Sequence, residues 1–160
     1  MNIKHYEYFV APNHLDYEFY SDGPKGKVKK RVRFTLAFSN GIPYYNLGFG
    51  DWNEDKLRID DLVVTNNEDA ERVLATVALT VVDFTDNFPD ALVYIEGSTP
   101  SRTRRYQMGI NKFRTEIEAD FEIFGLFKDF GWEEFEPEKN YVAFIGKRKI
   151  NTFTPQRKEI

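Results

Sequence analysis

The sequence contains no cysteine and only two histidines, His5 and His14. Disulfides, thiolate catalysis and cysteine-ligated zinc are therefore excluded, and two imidazoles are too few for a histidine-rich metal site. No apolar run approaches the roughly 20 residues of a membrane-spanning helix. The N-terminal stretch Met1-Asn2-Ile3-Lys4-His5-Tyr6-Glu7-Tyr8 lacks the apolar core of a secretory signal, so a soluble cytoplasmic protein is expected. No repeat, low-complexity tract or linker interrupts the chain.

What is abundant is aromatic. The 160 residues include 15 Phe and 9 Tyr within a composition 41% hydrophobic and 30% charged. Phe and Tyr favour strands and bury large areas. The length suits one core, so residues 1–150 are read as a single domain and 151–160 as a polar tail.

The formal net charge is −4, but it is unevenly spread. Lys25 to Arg33 holds six cations and no acid, and Ser98 to Arg114 holds five and no acid, which leaves 11 cations against all 26 acids elsewhere. Such segregation marks either a binding face or two solvated faces paired with acidic neighbours.

Period-two alternation predicts strands over His5–Ala11, Asp16–Ser21, Val28–Ser39 and Tyr44–Trp52. In the third, Val32, Phe34, Leu36 and Phe38 share a face opposite Arg31, Arg33 and Thr35. In the fourth, Tyr45, Leu47 and Phe49 point inward, and Gly48 and Gly50 mark a bulge or a close backbone approach. Leu57–Thr65 is expected to hold a further strand ending in Leu62-Val63-Val64.

Helical periodicity then begins. Asn66-Asn67 is read as the cap of a helix running to about Asn87, with Leu74, Val77, Ala78, Val81 and Phe84 as its apolar stripe. Ala91–Gly97 reads as a central strand buried on both faces. A second helix is capped by Thr99 with Pro100 in its first position, and Tyr106, Ile110, Phe113 and Ile117 follow its stripe. Phe121–Phe127 and Tyr141–Lys149 complete the order ββββ(β)αβαββ. The expected class is α+β: a mixed, largely antiparallel sheet of about six to eight strands with two main helices packed on it.

The segment Glu96-Gly97-Ser98-Thr99-Pro100-Ser101-Arg102-Thr103-Arg104-Arg105 is the candidate site. A strand ends, a small-residue turn follows and a helix begins, so bare amides and the helix dipole favour an anion. Ser98, Thr99 and Ser101 add hydroxyls, and Arg102 and Arg105 add planar forks suited to phosphate or carboxylate. The pattern is neither a P-loop nor a dinucleotide fingerprint; the alternative is a well-capped helix whose arginines pair with surface acids. On a strand, Lys27, Lys29, Arg31 and Arg33 point one way and would form a nucleic-acid face, or else a charged edge that blocks aggregation. Asp51, Asp55, Asp60 and Asp61 cluster near Trp52 without calcium-loop spacing, and are read as a solvated turn. His5 and His14 have no companion nucleophile, so no catalytic set is assigned.

Tyr44-Tyr45-Asn46-Leu47-Gly48-Phe49-Gly50-Asp51, together with Glu96 to Tyr106, resembles a small bacterial family of unknown function found mainly in Bacteroidetes, over residues 5 to 149. The resemblance implies a bacterial cytoplasmic setting and carries no assigned activity. The strand–strand–helix–strand–helix run is also similar in topology to the second half of the acetyl-CoA-dependent N-acetyltransferase fold. That similarity implies a cofactor loop at Thr65–Arg72, but this stretch has no glycine and carries three acids before its arginine. Three readings follow: a module binding a phosphate-bearing small molecule, nucleotide or nucleic acid; an acyltransferase-like enzyme; and a protein-interaction or homo-oligomerisation domain. The natural ligand and any cofactor are unassigned.

Overall fold

Period-two alternation, with Lys30 the one charged residue on the apolar side of β3, builds the longest ladder of the protein. The computed structural model describes residues 3–60 and 65–149. In it β2 (Asp16–Gly23), β3 (Gly26–Ser39) and β4 (Ile42–Asn53) form an antiparallel meander, with β1 (Tyr8–Val10) on the outer edge of β2. The register pairs Tyr17 with Val32 and Phe34 with Leu47, so their side chains share one face. Tyr17, Phe19, Val32 and Phe34 are all essentially fully buried there. Leu36 and Phe38 continue the same alternation but are 50% and 65% exposed, because β3 runs on past the elements that cover the sheet.

The chain then forms β5 (Arg58–Asp60), α1 (Ala70–Asn87), β6 (Val93–Ile95), α2 (Pro100–Lys112), α3 (Arg114–Asp120), β7 (Phe121–Phe127), β8 (Gly131–Glu134) and β9 (Ala143–Arg148). The sheet order is β1-β2-β3-β4-β6-β9-β7-β8, with β5 paired to β4 off that path. Every pairing is antiparallel except β4 with β6, which α1 joins as a crossover. The mixed, mostly antiparallel α+β architecture is thus as expected. The expected residues Leu62, Val63 and Val64 lie outside the described residues, as does the tail from Asn151.

Helices cover one face of the sheet. Phe84 of α1 stacks on Phe34 at 4.1 Å between ring centroids and meets Tyr45 edge-on. Ile95, Ile123 and Phe144 of the same sheet face pack with Tyr106 and Ile110 of α2 and Ile117 of α3. Burying side chains of this size contributes about 1.5–3 kcal/mol each. The opposite face carries Tyr44, Tyr94 and Trp132, with Tyr94 meeting both of the others.

Four expectations need correction. The central strand β6 is covered on one face only: Val93 is buried but Tyr94 is partly exposed. α1 begins at Ala70, not at an Asn66-Asn67 cap, because the buried Asn67 side chain is engaged elsewhere. The stripe Tyr106–Ile117 spans two helices that break at Phe113. The acidic connection after β7 contains an additional strand, β8, on the sheet's edge. No helix among the described residues is long and apolar enough to cross a membrane.

A candidate anion-binding cleft

β6 ends at Ile95, and the chain turns through Glu96, Gly97 and Ser98 into α2. Thr99 has extended backbone angles, and its hydroxyl accepts from the Arg102 amide at 3.2 Å, the expected N-cap geometry. Pro100 takes the first helical position, where its missing N–H removes no bond. The Thr103 hydroxyl closes the turn, accepting from the Gly97 amide at 3.0 Å and donating to the Thr99 carbonyl at 3.2 Å. Gly97 is demanded by space: a Cβ there would lie 2.5 Å from the Thr103 nitrogen. No acid occupies the first turn of α2.

The head of α1 forms a second wall. Buried Asn67 ties it to the β2–β3 turn. Its amide nitrogen donates to the Gly26 carbonyl at 2.8 Å and to Ser21 Oγ at 3.1 Å, while its oxygen accepts from the Lys25 amide at 2.7 Å. One carboxylate oxygen of Asp69 accepts from both the Tyr6 hydroxyl and Ser21 Oγ, each at 2.6 Å. Burial first, and the bond to Asp69 second, raise the Tyr6 hydroxyl above the usual tyrosine pKa.

β4 supplies the floor. Tyr45 and Asn46 pair with β6, and Asp51 to Asn53 pair with β5. Between them Leu47, Gly48, Phe49 and Gly50 have β3 on one side and no strand on the other among the described residues. Gly50 marks a close approach: a Cβ there would lie 3.0 Å from the Asp60 carbonyl. Buried Lys30 pairs with Asp51 at 2.5 Å on the same side of the sheet as the helices.

These three walls enclose a cleft of about 290 Å³ where β4 and β6 part. Of the residues singled out from sequence, Ser98, Arg102 and Arg105 line it. Arg102 donates to Ser98 Oγ. Thr99 spends its hydroxyl on the cap, and Ser101 is exposed on the first turn, outside the lining. Arg104 turns away and donates to the Asn140 side chain at 3.0 Å. Lys30, Asp69, Glu96 and Tyr106 also line the cleft. Glu96 accepts from the Tyr94 hydroxyl at 2.7 Å; burial and then this bond push Tyr94 above its ordinary pKa. Glu96 and Tyr106 belong to or adjoin the candidate segment, whereas Lys30 and Asp69 come from distant stretches of chain and were not legible locally.

The basic stripe lies on one face of β3 as expected, but acids meet it. Lys29 bonds Glu54 at 2.8 Å, Arg31 bonds Glu18 at 3.1 Å and stacks on Trp52, and Arg33 bonds Asp16 at 2.6 Å. The hydrogen bond to Glu54 raises the Lys29 pKa, and its counterpart lowers that of Glu54. Lys27 is exposed, opposite Asp22 in the register. Among the aspartates near Trp52, Asp51 and Asp60 are cross-strand partners on β4 and β5. Asp51 is buried against Lys30, Asp55 is exposed and Asp61 lies outside the described residues. His14 sits 3.5 Å from Asp83, and His5 contacts the Ile3 carbonyl.

No curated protein and no solved structure matches this chain. One family model does, over residues 2–149, which is nearly the whole of the sequence. A β4–β6 cleft walled by the heads of two helices is therefore a feature of a chain that belongs to DUF6934, a family of unknown function.

Proposed function

We propose that this chain is a binding module for a phosphate-bearing small molecule, held in the cleft at the head of α2. The observation that carries the reading is the convergence of Ser98, Arg102 and Arg105 on one 290 Å³ space beside the Leu47–Gly50 edge of β4. The dipole at the head of α2 favours negative charge. Guanidinium forks match phosphate oxygens in two-point hydrogen bonds. The position also accords with a general rule: ligands sit beyond the carboxyl ends of parallel strands at the point where they part. A cysteine-free chain suits the reducing bacterial cytoplasm.

An acyltransferase-like enzyme is the second reading. It is favoured by the parallel β4–β6 pair that α1 joins and that diverges at the cleft. Against a cofactor pyrophosphate seated on the α1 amides themselves stand Glu68, Asp69 and Glu71. In the cleft the Asp69 carboxylate is already engaged by the Tyr6 and Ser21 hydroxyls, and the proposed anion lies on the opposite wall, at Arg102 and Arg105. A nucleic-acid face on β3 ranks lower, since three of its four cations are paired with acids.

Thermal-shift measurements against pyrophosphate, nucleoside triphosphates, acetyl-CoA and short oligonucleotides test these readings together, because a ligand of the native state raises its stability. A phosphate-dependent rise in Tm that disappears in Arg102→Ala/Arg105→Ala is the expected result. A rise that survives in the double variant refutes the site.

A further inference from the structure

The polar cleft does not end at Tyr106. A second space of about 170 Å³ lies behind it, between the three helices and the covered face of the sheet. Its walls are almost wholly aliphatic and aromatic, with Ala78 and Val81 of α1 facing Ile110 of α2 and Ile117 of α3. The two spaces share Leu47, Phe49, Leu74 and Tyr106. Tyr106 stands at the junction: it follows Arg105 directly, and its ring lies 6.0 Å from that of Phe49. A cleft lined by two guanidinium groups and two carboxylates therefore adjoins an apolar space along a shared boundary.

An enclosed apolar cavity of about 150 Å³ takes up benzene; this space is of similar size but partly open, so roughly six carbons fit it. Its lining lacks dispersion partners on one side, which a hydrocarbon restores. The charge at its two margins sets a direction. Arg102 and Arg105 lie at the cleft end beside Asp69 and Glu96, whose carboxylates already accept from the Tyr6, Ser21 and Tyr94 hydroxyls. The α3 end is bordered by the acids Glu116 and Asp120, with no cation among the described residues of the lining. A negative head group is therefore favoured at the first end and opposed at the second.

We infer that the ligand is an anionic amphiphile, with a phosphate or carboxylate head at Ser98, Arg102 and Arg105 and an apolar tail of about six carbons passing Tyr106 into the cavity. This inference rests on the anion-binding reading of the cleft and adds the tail.

Calorimetric titration with inorganic phosphate and with ethyl, butyl, hexyl and octyl phosphate tests it. Affinity is expected to rise about fourfold per methylene up to hexyl and then level off. Ala78→Phe, which fills the cavity, is expected to abolish the chain-length dependence while preserving the affinity for ethyl phosphate. Arg102→Ala/Arg105→Ala is expected to weaken every member of the series. Equal affinity along the series overturns the tail and leaves the anion site standing. No binding by any member overturns both. Tighter binding of octylammonium than of octyl phosphate, indifferent to the arginines, overturns the stated direction. If Ala78→Phe fails to fold, methyl NMR of the unmodified protein decides: octyl phosphate must shift Leu74, Val81, Ile110 and Ile117, and an unshifted set refutes the inference.

Discussion

Lys30 and Asp51, cross-strand partners on β3 and β4, form a 2.5 Å ion pair in which the lysine is only 2% exposed. The second oxygen of Asp51 accepts from the Thr65 amide at 2.9 Å, tying the approach to α1 down to the sheet. The pair thus braces two walls of the cleft at once. Removing one partner leaves an uncompensated buried charge, which costs about 3–5 kcal/mol, whereas replacing both by apolar groups is close to neutral. Lys30→Met is therefore expected to destabilise by that amount, and Lys30→Met/Asp51→Leu by clearly less. Urea denaturation measures both, and a double variant as unstable as the single one contradicts the assignment.

Gly97 is the hinge of the strand-to-helix turn. Its added Cβ would strike the Thr103 nitrogen and lie 2.7 Å from Arg102 Cβ, so backbone must move. Gly97→Ala is expected to cost about 1–3 kcal/mol and to displace the head of α2. Anion affinity should fall with stability, read by titration of pyrophosphate at a temperature where the variant is folded. Unchanged affinity would place the ligand elsewhere.

Alkaline pH should unfold the protein through its buried tyrosines. Burial, and then the 2.6 Å bond to Asp83, raise the Tyr17 hydroxyl well above its ordinary pKa, and Tyr6 is raised in the same way by burial and Asp69. The unfolded chain releases these protons near pH 10. Below that value the stabilisation is complete, and it is lost as pH rises through 10 and beyond, by up to about 1.4 kcal/mol per pH unit per tyrosine. Tyr17→Phe should lower stability at pH 8 and flatten the decline between pH 9 and 11. Parallel wild-type and variant slopes in urea titrations at those pH values would contradict this.

What the sequence made legible was local. Thr99-Pro100 is a self-contained start signal, and α2 begins where it says. Alternation placed Val32, Phe34, Tyr45, Leu47 and Phe49 on the covered face. The illegible parts depend on distant partners. Asn67 has the composition of a helix cap, yet it bonds a turn some 40 positions earlier, so α1 starts three residues later. β6 reads as doubly buried because Leu92-Val93-Tyr94-Ile95 is apolar, but the aromatic ring of Tyr94 lies on the open face. β8 is short and acidic, and only its pairing with β7 makes it a strand. One wall of the cleft was visible as Ser98, Arg102 and Arg105. The other walls enter through sheet register, as Lys30 does, or through long-range hydrogen bonds at the head of α1, as Asp69 does, and no local pattern encodes either.

Amide chemical-shift mapping with inorganic pyrophosphate tests the central claim most directly. The expected result is a saturable, salt-sensitive perturbation of Gly48, Gly50, Ser98, Arg102 and Arg105 that Arg102→Ala/Arg105→Ala abolishes. Perturbation confined to the Lys27–Arg33 stripe, or none at millimolar pyrophosphate, would contradict an anion site at the head of α2.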